Sequence, residues 1–185
     1  SGSCVYCGGQ PDTRDHVPSR VFLDDPLPDD LPVVGACQRC NQGFSLDEAY
    51  MACLLECVLC GTADIESLRR DKVKRVLAES PRLAGMLAES RRTIEDGTTL
   101  WMPDEERVRN VVRKLARGHA AFELSLPQLD EPLRIECIPF ACMSPAQRAE
   151  FERAGSGEMR CWPEIGSRAF LRACGKGPCA NQIGP

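Results

Sequence analysis

The chain has 185 residues, enough for one domain or one domain plus a small module, with a net charge of −4 and 12 cysteines. A slight acidic excess excludes a histone-like polyanion binder, whose affinity needs clustered Lys and Arg. No run reaches the roughly 18 apolar residues that cross a bilayer; the nearest, Ala49 to Ala63, is interrupted by Glu56. With no apolar leader and a metal explanation for four of the thiols, the expectation is a cytoplasmic protein rather than a disulfide-rich secreted one.

Charge is uneven along the chain. Residues 1–60 hold nine acidic and three basic side chains, so the remainder is net basic by two. The first stretch also carries the most informative spacing. Cys4-Val5-Tyr6-Cys7 is answered by Cys37-Gln38-Arg39-Cys40, and two Cys-x-x-Cys pairs supply the four thiolates of a tetrahedral zinc site. Such a site is closed to substrate, so any chemistry needs other groups. Asp15-His16 pairs a hard carboxylate with an imidazole that titrates near neutrality, and Asn41 places an amide oxygen one peptide bond from Cys40. If zinc pins the two segments together, Asp15 and Asn41 converge on one divalent ion and His16 faces a water beside it. That set suits phosphodiester hydrolysis.

Cys-x-x-Cys, then Asp15-His16-Val17-Pro18, then Cys-x-x-Cys-Asn41 resembles the zinc-containing branch of the HNH endonucleases, built on a ββα-metal (His-Me) finger. The resemblance covers residues 4 to about 50. It implies a structural zinc on Cys4, Cys7, Cys37 and Cys40, a catalytic divalent cation, usually Mg²⁺, on Asp15 and Asn41, and His16 as general base. It also implies DNA as substrate, in settings such as phage defence or restriction. One family residue is missing: the middle Asn would fall near Pro32, within Leu31-Pro32-Val33-Val34-Gly35-Ala36. A backbone carbonyl or Asp30 must then fasten the loop that carries the base, or catalysis is impaired.

The predicted elements follow in order. Residues 24–30, rich in Asp and Pro, form an irregular loop whose aspartates read as a solvated turn. Gln42-Gly43-Phe44 is expected to interrupt any helix begun at Asn41. Ser45-Leu46-Asp47-Glu48 has the form of a capping box that starts a new one. Leu46, Tyr50, Cys53, Cys57 and Cys60 then share an apolar stripe, in which three thiols read as core rather than as a second metal site. Ala63 to Glu79 patterns as an amphipathic helix with Arg69, Arg70, Lys72, Lys74 and Arg75 outward, either a solvated face or a nucleic-acid contact. Ser80-Pro81 opens a further helix reaching about Arg92.

Residues 93–102 read as a hairpin about Asp96-Gly97. Pro103 to Glu123 is a long helix, acidic at its start and basic later, with Val108, Val111, Val112, Leu115 and Phe122 buried and His119 a core residue on that face. Leu133 to Met143 is expected to be a strand, Ser144 to Ala154 a short helix, and Gly157 to Pro163 and Arg168 to Cys174 strands. Gly175 to Cys179 shows no periodicity. Cys161, Cys174 and Cys179 could bind a second zinc, but their irregular spacing without a further Cys-x-x-Cys weighs against it.

The expected fold is thus α+β, a zinc-bound ββα-metal finger over residues 4–60 followed by a mainly helical region with small antiparallel β elements over residues 61–185. Three functions compete: a metal-dependent endonuclease hydrolysing DNA, a non-catalytic zinc module that binds nucleic acid or protein, and a helical enzyme in which zinc is only structural.

Overall fold

The computed structural model describes residues 2–132, 135, 137, 138, 143–153, 159–164, 167–173 and 178–184. Strand β1 (Thr13–His16) pairs antiparallel with β2 (Val33–Ala36), in a register that sets Thr13 opposite Ala36 and His16 opposite Val33. The loop between them contains a 3-10 turn at Arg20–Phe22. Directly after β2, helix α1 (Gln38–Cys60) begins. Its N-cap is Cys37, whose sulfur accepts the N–H of Cys40, so the second cysteine pair is itself a helix start.

Helix α1 runs unbroken through Gly43, against the expected interruption. A glycine costs a helix interior only about 1 kcal/mol, which a helix of 23 residues absorbs. Ser45 is therefore not a cap; its hydroxyl donates to the Gln42 carbonyl one turn back. The changed start alters the helix faces: Leu46 is 75% exposed, whereas Tyr50, Cys53 and Cys57 are buried. Gly61, in the left-handed region at φ 69°, ends the helix and returns its N–H to the Cys57 and Val58 carbonyls.

The helix expected from Ala63 starts only at Asp71. Ile65–Ser67 is a 3-10 turn, and α2 spans Asp71–Glu79. The cause is Glu56 of α1, a buried carboxylate that accepts the N–H groups of Arg69 at 2.7 Å and Arg70 at 3.0 Å. Burial opposes its ionisation, yet those N–H groups outweigh burial and hold the carboxyl below its usual range. Helix α3 (Pro81–Ser90) leads into a hairpin of β3 (Arg91–Thr93) and β4 (Thr99–Trp101), turned at Gly97 with φ 84°.

Helix α4 (Glu105–Leu124) is capped by Asp104, whose side chain accepts the Arg107 N–H and whose own N–H donates to the Tyr50 hydroxyl at 2.7 Å. It packs on α1 and β2. Beyond it lie α5 (Pro145–Arg153) and a meander of β5 (Met159–Glu164), β6 (Ser167–Ala173) and β7 (Pro178–Gly184), antiparallel in that order. Strand β7 begins inside the stretch that showed no periodicity. The strand expected over 133–143 and the side chains of Cys161, Cys174 and Cys179 lie outside the described residues. The architecture is mixed, helices with small antiparallel sheets, and no described helix is long and apolar enough to cross a membrane.

Among the described residues, two apolar clusters hold it together. One joins Tyr50, Cys53, Leu54 and Cys57 of α1 to Leu68, Val73, Leu77 and Leu87. The thiols there are core: burial pushes Cys53 up to about 12 and Cys57 to about 11. The other gathers Cys4, Val5, Tyr6, Val17, Val34 and Ala36, with Phe44 of α1 and Ala121 of α4 against it. Phe122, expected inside, is 41% exposed, while its neighbour Ala121 makes the contact.

Helix α4 comes close at Gly118, where a Cβ would stand 2.7 Å from a Val17 methyl and 3.3 Å from the Tyr6 hydroxyl. Gly118→Ala is expected to destabilise the fold by about 1–3 kcal/mol. Gly43→Ala, where a Cβ meets nothing within 4 Å, should stabilise by about 0.5–1 kcal/mol. Urea denaturation of both variants checks the contrast. His119 is buried as expected, and burial lowers it from 6.5 to about 4. Between those values the unfolded chain takes a proton that the folded chain refuses, so stability falls as pH drops through that window, by up to about 3 kcal/mol. His119→Gln should lose less stability than wild type between pH 7 and about 4.5 in parallel denaturation curves.

Candidate functional site

The first cysteine pair sits on a tight turn. Cys4 N–H donates to the Gly9 carbonyl at 2.7 Å, and Gly8, at φ 75°, donates to the Cys4 carbonyl at 2.8 Å. Val5 N–H donates to the Gly35 carbonyl at 3.0 Å, which fixes this turn beside β2 and opposite the start of α1. As a result the sulfurs of Cys4, Cys7, Cys37 and Cys40 all lie within 4.8 Å of one another. Those of Cys7 and Cys37 are 3.7 Å apart, close to the ~3.8 Å edge of a tetrahedron with zinc–sulfur bonds of about 2.3 Å.

The electrostatics fit a cation. Burial works against ionising Cys4, but backbone N–H groups of Cys37, Tyr6 and Cys7, together with the Cys7 thiol, bring it down to about 7. Cys40 is pushed up by burial and by sharing protons with Cys37 and Cys7. Four thiols so crowded lose their protons together only to a metal. The cluster fits zinc, with all four positions filled by protein.

Against the other side of the hairpin lies an open cleft of about 340 Å³ whose lining includes Asp15, His16, Ser19, Arg20, Asn41 and Glu48. It brings together the three residues that the sequence pointed to, from β1 and the first turn of α1. Asn41 Nδ2 donates to the Arg14 carbonyl at 3.2 Å and the Thr13 hydroxyl at 3.3 Å, leaving its Oδ1 as the atom able to ligate a cation. The half-buried His16 is lowered by burial and by the Arg20 and Lys114 cations, with Asp15 opposing. It is therefore neutral near pH 7 and able to accept a proton. Arg20 Nη2 lies 2.9 Å from His16 Nε2. The loop after His16 is tied to the segment before β2, where Val17 N–H donates to the Pro32 carbonyl at 2.9 Å.

The residues that sequence reading missed lie at the wall of this cleft (Ser19 and Glu48) and behind it (Lys114 and Tyr6). Lys114 of α4, 1% exposed, places its Nζ 2.8 Å from Asp15 Oδ2 and also bonds Glu48 Oε1 and the Ser19 hydroxyl. Ser19 in turn donates to Glu48 Oε1. The Tyr6 hydroxyl donates to Asp15 Oδ2 at 2.7 Å, and burial with the adjacent Asp15 charge raises Tyr6 so far that it remains a donor. Both side-chain bonds to Asp15 fall on Oδ2. Two signals for these residues existed. Asn41, Ser45 and Glu48 recur at helical steps of four and three, and Lys114 lies within the apolar stripe of Val111, Leu115 and Gly118.

The five basic residues proposed as an outward patch divide. Arg70 Nε bonds Asp24 at 2.6 Å and its Nη2 reaches the Leu23 carbonyl at 2.9 Å, while Lys72 Nζ donates to the Arg20 carbonyl at 2.6 Å. These two fasten the loop carrying Arg20. Lys74 donates to the Glu66 carbonyl at 3.4 Å, and Arg69 and Arg75 are exposed. Compared with known proteins, the chain matches no family model, no curated protein and no solved structure.

If the four sulfurs carry a structural zinc, Cys37→Ser removes a ligand while leaving a hydroxyl able to cap α1, so its effect reports the metal. Metal analysis should show bound zinc falling from about one per chain towards none, with cooperative unfolding lost. A variant still folded without metal would refute the structural role.

Proposed function

We propose that the chain is a metal-dependent endonuclease that hydrolyses DNA phosphodiester bonds in the cleft beside β1. The observation that carries this reading is the convergence of a neutral His16 with Asp15 and Asn41 around one open, solvent-reached cleft. Asp15 and Asn41 also have structural partners, but a zinc scaffold by itself does not require His16 beside them at the cleft.

The parts divide as follows. Asp15, through the oxygen that Lys114 and Tyr6 leave unused, and Asn41, through Oδ1, would hold a hard divalent cation such as Mg²⁺. That ion, when bound, neutralises charge on the scissile phosphate and the leaving oxygen. His16 accepts the proton of the attacking water, which its lowered basicity permits at neutral pH. Arg14 and Arg20, exposed at the cleft wall, are the cations nearest to an entering phosphodiester. The hairpin followed at once by α1, with four cysteines at its base, agrees with a ββα-metal finger of the HNH type.

A second reading rests on one specific contact. Arg20 covers His16 Nε2, and an arginine that stays there would leave a zinc module that binds nucleic acid or protein without cutting it. Conversion of supercoiled plasmid to nicked and linear forms with Mg²⁺ or Mn²⁺ distinguishes them. Wild type should nick, and His16→Ala should be slower by about 10²–10⁴-fold. Absence of cleavage above the variant's background with every divalent ion tried would leave the binding module.

A further inference from the structure

We propose that Lys114 is a positioning residue that keeps divalent cations out of the floor of the cleft, so that a catalytic ion is held towards its mouth. This rests on the nuclease reading for its purpose but not for its chemistry. The ammonium of Lys114 is surrounded by Asp15 Oδ2, Glu48 Oε1 and the Ser19 hydroxyl. Three oxygens, two of them from carboxylates, are the donor set that a hard divalent cation selects. Lys114 fills that set from within the protein, 1% exposed, with the Tyr6 and Phe44 rings each 5.9 Å from its Nζ.

The geometry explains why the floor needs a resident cation. Asp15 and Glu48 are 6% and 7% exposed and share one small volume, so without a positive charge they repel each other at low dielectric. An ion drawn down between them would take Asp15 Oδ2 and Glu48 Oε1 rather than join Asn41, whose Nδ2 is tied to the Arg14 carbonyl of β1. Lys114 neutralises the inner oxygens and leaves the outer ones to the cleft. It acts through Asp15 and Glu48 and, 1% exposed, does not line the cleft itself.

A purely structural lysine and an excluding lysine make opposite predictions for metal affinity. Mn²⁺ binding is measured on the full, zinc-loaded chain by the electron paramagnetic resonance signal of unbound Mn²⁺, for wild type, Lys114→Met and Lys114→Gln. The glutamine variant retains a donor for the carboxylates in case methionine prevents folding, and zinc content with helical circular dichroism confirms the fold. Both variants should bind Mn²⁺ more tightly than wild type, on the order of tenfold, while plasmid nicking falls by about 10–100-fold. Adding Glu48→Gln to Lys114→Met should return Mn²⁺ affinity to about the wild-type level.

Folded Lys114 variants that bind Mn²⁺ no more tightly than a wild type that binds it, or a double variant as tight as Lys114→Met, overturn the exclusion and leave the nuclease reading intact. Tight binding by the variants alone, with none by wild type, upholds the exclusion and removes the nuclease. No binding by any of them overturns both.

Discussion

One buried ammonium decides how the chain can be arranged. Lys114, 1% exposed, would cost several kcal/mol if it were left without partners in the interior. Its partners come from three distant segments: Asp15 from β1, Ser19 from the loop and Glu48 from α1. Helix α4 can therefore take only the depth and rotation that present position 114 to all three. Gly118, one turn further on, allows that depth because a side chain there would strike Val17. The charge fixes the register of the contact, and the small residue permits its closeness.

The cysteine cluster governs the other end of the same unit. Cys37 both belongs to the four-sulfur group and caps α1, so forming the cluster and starting the helix are one event. A cap is worth about 1 kcal/mol and a structural metal far more. Asn41 follows within one turn, and its amide is tied to Arg14 and Thr13. The position of a candidate ligand is thus set by the sulfurs behind it and by β1 in front of it. Covalent geometry alone would leave that side chain several rotamers.

Local chemistry was readable in the sequence where it depended on spacing. The two cysteine pairs, the Asp96-Gly97 hairpin and the bounds of α4 all depend on residues close in the chain, and they agree with the structure to within a few positions. What failed depended on partners far away. Gly43 looked like a helix break because the sulfur cap ahead of it has no sequence signature. Arg69 and Arg70 looked helical because Glu56, more than ten residues earlier, takes their N–H groups. Glu48 looked like a capping residue, and only α4, 66 residues later, shows what it binds. By position alone Lys114 belongs to the basic later part of a helix. A lysine inside an apolar stripe asks instead which buried carboxylates it meets.

These distant contacts also give residues 61–124 a physical role in the cleft. Arg70 and Lys72 hold the carbonyls and Asp24 of the loop that carries Arg20, and Arg20 is the residue on His16 Nε2. Lys114 holds the inner oxygens of Asp15 and Glu48. The hairpin and α1 supply the side chains that face the cleft, while the later helices set where those side chains stand. The positive charges beyond residue 60 serve in part to pin an acidic N-terminal region rather than to form an open surface for nucleic acid. Among the described residues, the exposed cations lining the cleft are Arg14 and Arg20. On the proposed nuclease function, an anion able to draw the Arg20 guanidinium away would uncover the His16 imidazole nitrogen.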